Sequence, residues 1–322
     1  MMTIREIAEL SGCSASTVSR VLSNKKCSIP ISEKTREKIL AVCREHDYTP
    51  NINASRFFSN KAKTIGFFII SSQSLEDDNL ARGMSAVYDT LNKHGYRLLP
   101  ISMDEEFIKN KEYLNLFKRK EIDAAIIWGV TDDCDWIDEL YKEKMPFLLL
   151  TNRFKDYPTV YCDDSAGINK LIEHCRKKGA EKFVYLSMNE GDCCFRRASC
   201  FSELIPDGKI VDGGVTIKDG ENAAEEVMSH NPDAVICGND RLAIGLEKAL
   251  CRAGMNIPED IMITGADNIE LAEYCRVPLT NYDQMAYECG RKCAEMILGF
   301  LIDKKEIKSV KTVPVMHIRN SA

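Results

Sequence analysis

Two patterns of apolar residues divide this chain. Up to about residue 60 they recur every three or four positions; from Lys63 onward, short unbroken apolar runs alternate with amphipathic stretches. In "TIREIAELSG", Ile4, Ile7, Ala8 and Leu10 form one stripe, Thr3 and Glu6 have the spacing of a capping box, and Gly12 ends the turn. Ser14 is placed to N-cap a second helix running through Val21-Leu22. Val18, Val21 and Leu22 share its inner face, and Ser16, Thr17, Ser19 and Arg20 its outer one. A third helix starts at the Ser32 cap and turns Ile39, Leu40, Val42 and Cys43 inward. Two short helices joined by a turn of about three residues predict a helix-turn-helix unit. Residues 50–59 are then expected as a short helix, too short to be stable alone, with Pro50 near its first turn and Phe57-Phe58 protruding.

Beyond Lys63, "TIGFFII", "YRLLPI", "DAAIIW" and "PFLLLT" read as buried strands, and "KFVYLS", "DAVICG" and "IMITGAD" as a second set. Between them lie helical stretches such as "LARGMSAVYDTLNKHG", "KNKEYLNLFKRKE", "INKLIEHCRKKGA" and "DRLAIGLEKALCRAGM". Strands alternating with helices predict doubly wound parallel sheets. Two such sets predict two lobes, with a ligand cleft between them at the strand C-termini.

Charge separates the two regions. Residues 1–63 carry eleven Lys/Arg against six Asp/Glu, whereas the whole chain carries −6, so a basic head precedes an acidic body. That distribution suits a polyanion-binding module attached to one that does not bind polyanions. No run approaches the roughly 20 apolar residues of a membrane span, and "MMTIREIAEL" lacks the features of a signal peptide, so the expected compartment is the cytosol. The fourteen cysteines show no C-x-x-C and no zinc spacing; there they are expected to be reduced thiols packed as small apolar groups. The vicinal pair Cys193-Cys194 and the helically spaced Cys289 and Cys293 are the only clusters, and for the vicinal pair a redox or metal role is the alternative to packing. Phosphate-loop, nucleophile-elbow, zinc-protease and dinucleotide motifs are missing, and His46, His94, His174, His230 and His317 stand isolated. Neither catalysis, a cofactor nor a metal is expected.

The outer face of the second helix fits a polar groove. Small residues let a helix lie deep in a major groove about 12 Å wide. The hydroxyls of Ser14, Thr17 and Ser19 suit phosphate oxygens, which fix position without reading sequence. Arg20 suits a bidentate contact to guanine.

At this point the head resembles a known family. "TIREIAELSGCSASTVSRVL" followed by "YTPNINASR" is similar to the DNA-binding head and hinge of the lac-repressor (LacI/GalR) family of bacterial transcription regulators. The resemblance implies that Ala15, Ser16 and Arg20 read bases, that Thr3 joins the phosphate contacts, and that Asn51, Ala54 and Arg56 lie in the hinge. Phe57 stands where the family inserts a leucine wedge into the minor groove, and Phe is itself a wedge residue. Three departures stand out: Cys13 for a valine, a "NKKCSIPIS" connection about three residues longer than usual, and A-S-R-F at 54–57 for A-R-S-L.

The resemblance continues through the body, in "NPDAVICGNDRLAIGLEKAL", "GMNIPEDIMITGADN", "PLTNYDQMAYECG" and "VMHIRNS". It implies a small all-α head, residues 1–49, a hinge and linker, 50–63, and a two-lobed core like a periplasmic binding protein, 64–322. The N-lobe would span about 64–160 and the C-lobe about 161–322, with crossings near 161, 282 and 312. The family's effector pocket maps onto Arg153, Asp163, Arg197, Asp240 and Asp267. A sugar or sugar phosphate is the family's default effector, but "SSQSLEDDNLARG" is polar and acidic where sugar-responsive relatives carry stacking aromatics. Trp128 either supplies a ring from another loop or packs in the core. The expected protein is a homodimeric repressor that binds a near-palindromic double-stranded DNA operator under control of a small effector. The alternative is a soluble small-molecule binding protein whose head associates with DNA without sequence preference.

Overall fold

The computed structural model describes residues 2–23, 31–48, 61–70, 77–131, 134–189 and 192–322. The chain forms two compact units, Met1–Lys63 and Thr64–Ala322.

Among the described residues the first unit packs three helices, α1 (Ile4–Ser11), α2 (Ala15–Ser23) and α3 (Glu33–Glu45), around Ile7, Ala8, Val18, Val21, Ile39 and Cys43. Thr3 and Glu6 form the reciprocal capping box, and Gly12 closes α1 at φ 62°, a left-handed conformation that glycine adopts without a Cβ penalty. The Ser14 hydroxyl accepts from Thr17 N at 3.1 Å, so it caps α2. Leu10 departs from the expected stripe: it is exposed, and buried Ser11 takes the inner position. At 100° per residue, position 11 returns over Ile4 and Ile7 while position 10 swings outward.

The described residues of the second unit form two six-stranded sheets. In the first the order is β11-β5-β4-β3-β1-β2, and every pairing is parallel. Its strands are β1 (Thr64–Ile70), β2 (Arg97–Met103), β3 (Ala124–Trp128), β4 (Phe147–Leu150), β5 (Thr159–Cys162) and β11 (Val310–Thr312). The second sheet, in the order β12-β10-β9-β8-β6-β7, is parallel except for β12 against β10. It contains β6 (Phe183–Ser187), β7 (Lys209–Asp212), β8 (Ala234–Cys237), β9 (Met262–Ala266), β10 (Thr280–Asp283) and β12 (Val315–His317). Each lobe therefore runs 2-1-3-4-5 plus one strand that returns from the other crossing, and its chain order reverses between the first and third strands. The central strands β1, β3, β4, β6 and β8 are almost continuously apolar because helices cover both faces.

"YRLLPI" was expected as a buried strand. It is instead an edge strand, β2, mostly exposed and extending to Met103. Pro100, with no N–H to donate to a ladder, suits that edge. The stretch expected as one helix near 109–121 is broken: α5 (Glu105–Lys109) and α6 (Glu112–Lys118) meet at Lys111, which has φ 54°.

Around the sheets, α4 (Asp78–Lys93), α5, α6, α7 (Trp136–Lys142) and α14 (Ala286–Asp303) belong to the N-lobe. The C-lobe carries α8 (Asp164–Lys177), α9 (Asp192–Leu204), α10 (Ile217–Asn222), α11 (Ala224–Ser229), α12 (Asp240–Arg252) and α13 (Leu271–Tyr274). The chain passes between lobes at 162–164, 283–286 and 312–315. Helices α4 and α14 meet backbone to backbone: a Cβ on Gly290 would lie 2.3 Å from Gly83 O. Gly290→Ala is expected to force the helices apart and cost about 1–3 kcal/mol in denaturant unfolding. A variant as stable as the wild type would show that the two helices separate freely.

Candidate DNA-reading face and interlobe site

Helix α2 presents Ser16 and Arg20 as exposed residues, while Ala15, Thr17 and Ser19 are half-buried. Val18 and Val21 hold the opposite side in the three-helix core. Ser14 Oγ lies 2.9 Å from Ser16 Oγ and 2.8 Å from Thr17 Oγ1, so these hydroxyls form one local chain on the surface. Thr3 is more committed than expected. Its hydroxyl and its N–H both donate to Glu6 Oε2, at 2.9 and 2.7 Å, and those bonds hold the Glu6 carboxyl below its ordinary range. Asn51, Ala54, Arg56 and Phe57 lie outside the described residues.

The five body residues separate into two places. Arg153 and Asp163 line a cavity of about 260 Å³ beside the first crossing, together with Tyr161, Phe195, Arg196 and Ser199. The Arg153 guanidinium stands 5.2 Å over the Tyr161 ring. Asp163 caps α8 through the N–H of Ala166 and pairs with Lys311 at 2.7 Å, which holds its carboxyl below the usual range.

Arg197 lies deeper and is 1% exposed. Its Nε donates to Asp164 Oδ1 at 3.0 Å, its Nη1 to Gly238 O, and its Nη2 stands 3.8 Å from Asp267 Oδ1. The bond to Gly238 puts the guanidinium at the C-terminal end of β8, where the C-lobe strand order reverses. Asp164 also receives Arg196 at 3.0 Å and the Tyr282 hydroxyl at 3.2 Å. Asp164 and Arg196 thus connect the cavity to the deep cluster, and neither was singled out in the sequence.

Asp267 follows β9 with φ 112°, and Asn268 has φ 52°. Backbone of this kind costs about 1–3 kcal/mol and persists only where its surroundings hold it. Here the Asp267 N–H donates to Tyr282 O at 2.9 Å, and Arg319 donates to Asn268 Oδ1 at 2.8 Å. From the N-lobe, Arg82 on α4 donates to the carbonyls of Asp267 and Asn268 at 3.1 and 2.8 Å. Arg241 on α12 pairs with Asp78 on α4 at 3.0 Å. These contacts tie one lobe to the other. Gln284, on the second crossing, donates to the Asp267 carboxylate.

Asp240 does not line the seam. It is fully buried, and its Oδ2 accepts from Ile269 N at 3.0 Å and Asn281 Nδ2 at 2.8 Å. It holds the loop that carries Asp267, and burial pushes its carboxyl well above the ordinary range. Trp128 packs among the N-lobe core side chains. Cys193 is half-buried and Cys194 buried, both as free thiols.

Burial pushes the Asp267 carboxyl up to about 7, with Arg197 opposing the shift and Asp77 adding to it. The folded form keeps this proton to a higher pH than the unfolded chain. The stability it contributes is therefore present at low pH and is lost as pH rises through about 7. Asp267→Asn does not titrate, so its melting temperature is expected to gain on the wild type between about pH 5 and about pH 8. A gap that stays constant across that range would remove Asp267 from this role.

Comparison with known proteins agrees with both units. The family model described as "Bacterial regulatory proteins, lacI family" matches residues 3–51, and "Periplasmic binding protein-like domain" matches 172–322. The chain is 28% identical to the HTH-type transcriptional repressor PurR of Vibrio parahaemolyticus serotype O3:K6 (strain RIMD 2210633), over 100% of the chain and 98% of that protein. It is 29% identical to the ribose operon repressor of Bacillus subtilis (strain 168), over 99% and 97%. In fold it is similar to the lac repressor dimer bound to operator and the anti-inducer ONPF, with a TM-score of 0.87 and 20% identity over 99% of this chain and 98% of that one. Among the described residues no helix is long and apolar enough to cross a membrane.

Proposed function

The chain belongs to the lacI family of bacterial regulatory proteins, and from that premise we propose that it is a sequence-specific repressor whose hold on its operator is set by a small effector between the lobes. The observation that carries the reading is the surface of α2. Arg20 and Ser16 are exposed on a helix whose inner side is fixed by a buried core.

In this reading residues 1–49 are the DNA-binding head and 50–63 the hinge. Ala15 and Ser16 let α2 approach the base edges closely, and Arg20 donates two hydrogen bonds to a guanine. Ser14, Thr17 and Ser19 bond phosphates and set the register. Thr3 contributes least, because a phosphate there would face the Glu6 carboxylate. Asn51, Ala54 and Arg56 order the hinge, and Phe57 wedges into the minor groove. A homodimer brings two heads to a near-palindromic site. The protein acts in the cytosol by binding alone, without a cofactor.

Effector binding biases the arrangement of the lobes through the ties from Arg82 and Arg241. The shift cannot exceed the effector's difference in affinity between the two arrangements. Arg197 and Asp267 contact the effector directly, Asp240 supports Asp267, and Arg153 and Asp163 act from the neighbouring cavity.

Selection of duplexes from a random library by the full-length chain tests this. Enrichment of two inverted half-sites is the expected result. A pool that stays random after repeated rounds would leave only a binding protein that associates with DNA non-specifically.

A further inference from the structure

The N-lobe has a second end, opposite the seam. All strands of its sheet run parallel, so every connection from a helix into a strand reaches the same edge, at the strand N-termini. Four connections do so: α4 to β2, α6 to β3, α7 to β4 and α14 to β11. From the last helical residue to the strand, these four stretches carry nine Lys/Arg against five Asp/Glu. The five equivalent stretches of the C-lobe carry five of each. In a body that is acidic as a whole, this edge is the exception.

The backbone marks the same loops. A helix commonly ends through one residue in the left-handed region, which glycine and asparagine enter at least cost. In the C-lobe those residues are Gly179 (φ 101°), Asn231 (φ 50°) and Gly254 (φ 87°). In the N-lobe they are Gly95 (φ 68°), Lys120 (φ 57°), Lys144 (φ 55°) and Lys304 (φ 61°). The helix dipole favours a cation at a C-terminus, but it acts in both lobes and does not explain lysine in one alone. Lys120, Lys144 and Lys304 are exposed and form no ion pair among the described residues. Acids of the same loops are held by other cations: Glu121 by Arg119 at 2.7 Å, Asp303 by Lys305 at 3.1 Å and Glu306 by Lys308 at 3.0 Å. Strained backbone of this kind persists where a side chain is needed for function.

We propose that this basic edge is a second DNA contact, which holds backbone phosphates of the duplex beside the operator through Lys120, Lys144 and Lys304. The assignment rests on the head gripping an operator and adds a binding surface outside the head. The chain enters the body at Thr64, the first residue of β1, and so on this same edge. Eighteen residues separate Glu45, the end of α3, from Thr64, a tether of at most about 65 Å. A duplex held by the head is therefore presented to the edge at high effective concentration. Lysine suits the task as a point charge that holds a phosphate without reading sequence.

The test is binding of the full-length chain to its selected operator, bare or with about 20 bp of random sequence on each side, between about 50 and 200 mM salt. At the lowest salt the flanked duplex is expected to bind about 10-fold tighter or more, and its log K to fall with log[salt] more steeply by about 3 or more. The triple variant K120G/K144G/K304G is expected to lose this advantage, to hold the bare operator within about twofold, and to melt at about the wild-type temperature, since glycine fits the left-handed turns. The matching K120R/K144R/K304R, which keeps the charges, is expected to retain the advantage. Equal binding of bare and flanked duplex by the wild type overturns the proposal, as does an advantage that survives the glycine variant or is lost equally with arginine. Binding to vesicles of anionic phospholipid that needs the three lysines, without any gain from flanks, would assign the edge to a membrane surface and also overturns it. Failure of the repressor reading would appear separately, as a wild type that does not prefer the bare operator to random duplex of equal length.

Discussion

Arg197→Met is expected to lower the melting temperature of the two-lobed unit by roughly 6–20 °C. Removing one partner of a buried ion pair costs about 3–5 kcal/mol, and each kcal/mol shifts a unit of this size by about 2–4 °C. The guanidinium is 1% exposed and holds Asp164, Gly238 O and the approach to Asp267 together. Its loss leaves Asp164, whose side chain is 6% exposed, to Arg196 and the Tyr282 hydroxyl alone. Adding Asp164→Asn to the variant is expected to recover part of the loss, because the residual buried charge is then removed. A single variant that melts within about 2 °C of the wild type would show that Arg197 is not the structural centre of the seam.

Arg20→Ala is expected to weaken operator binding by about 1–3 kcal/mol, roughly 5- to 150-fold, and to relax preference at one base pair of each half-site. Stability should hardly change, because Arg20 is exposed and the core of the head is formed by other residues. Weakening by the same factor on all sequences would make Arg20 a phosphate contact instead.

The head was largely legible because its signals are local. A capping box at Thr3 and Glu6, a cap at Ser14 and a glycine at position 12 each act within one turn, and no distant contact overrides them. Leu10 was misread because the stripe has to be followed angle by angle over two turns. In the body, the long buried strands announce themselves by composition. The strands β5, β7, β10, β11 and β12 have three or four residues each, several of them polar, and are strands only because a neighbour pairs with them. The same holds for the seam. Asp267 and Arg197 stand out in motifs, whereas Asp164 acquires its role from residues far along the chain, such as Tyr282. Asp240 is marked by a motif as well, and its carboxylate turns inward to support a loop.

The most direct test is competition binding of the full-length chain to its selected operator against random duplex of equal length, at fixed salt. The account predicts a preference of ~10³-fold or more, reduced by Arg20→Ala. Equal affinity for the two duplexes would contradict it.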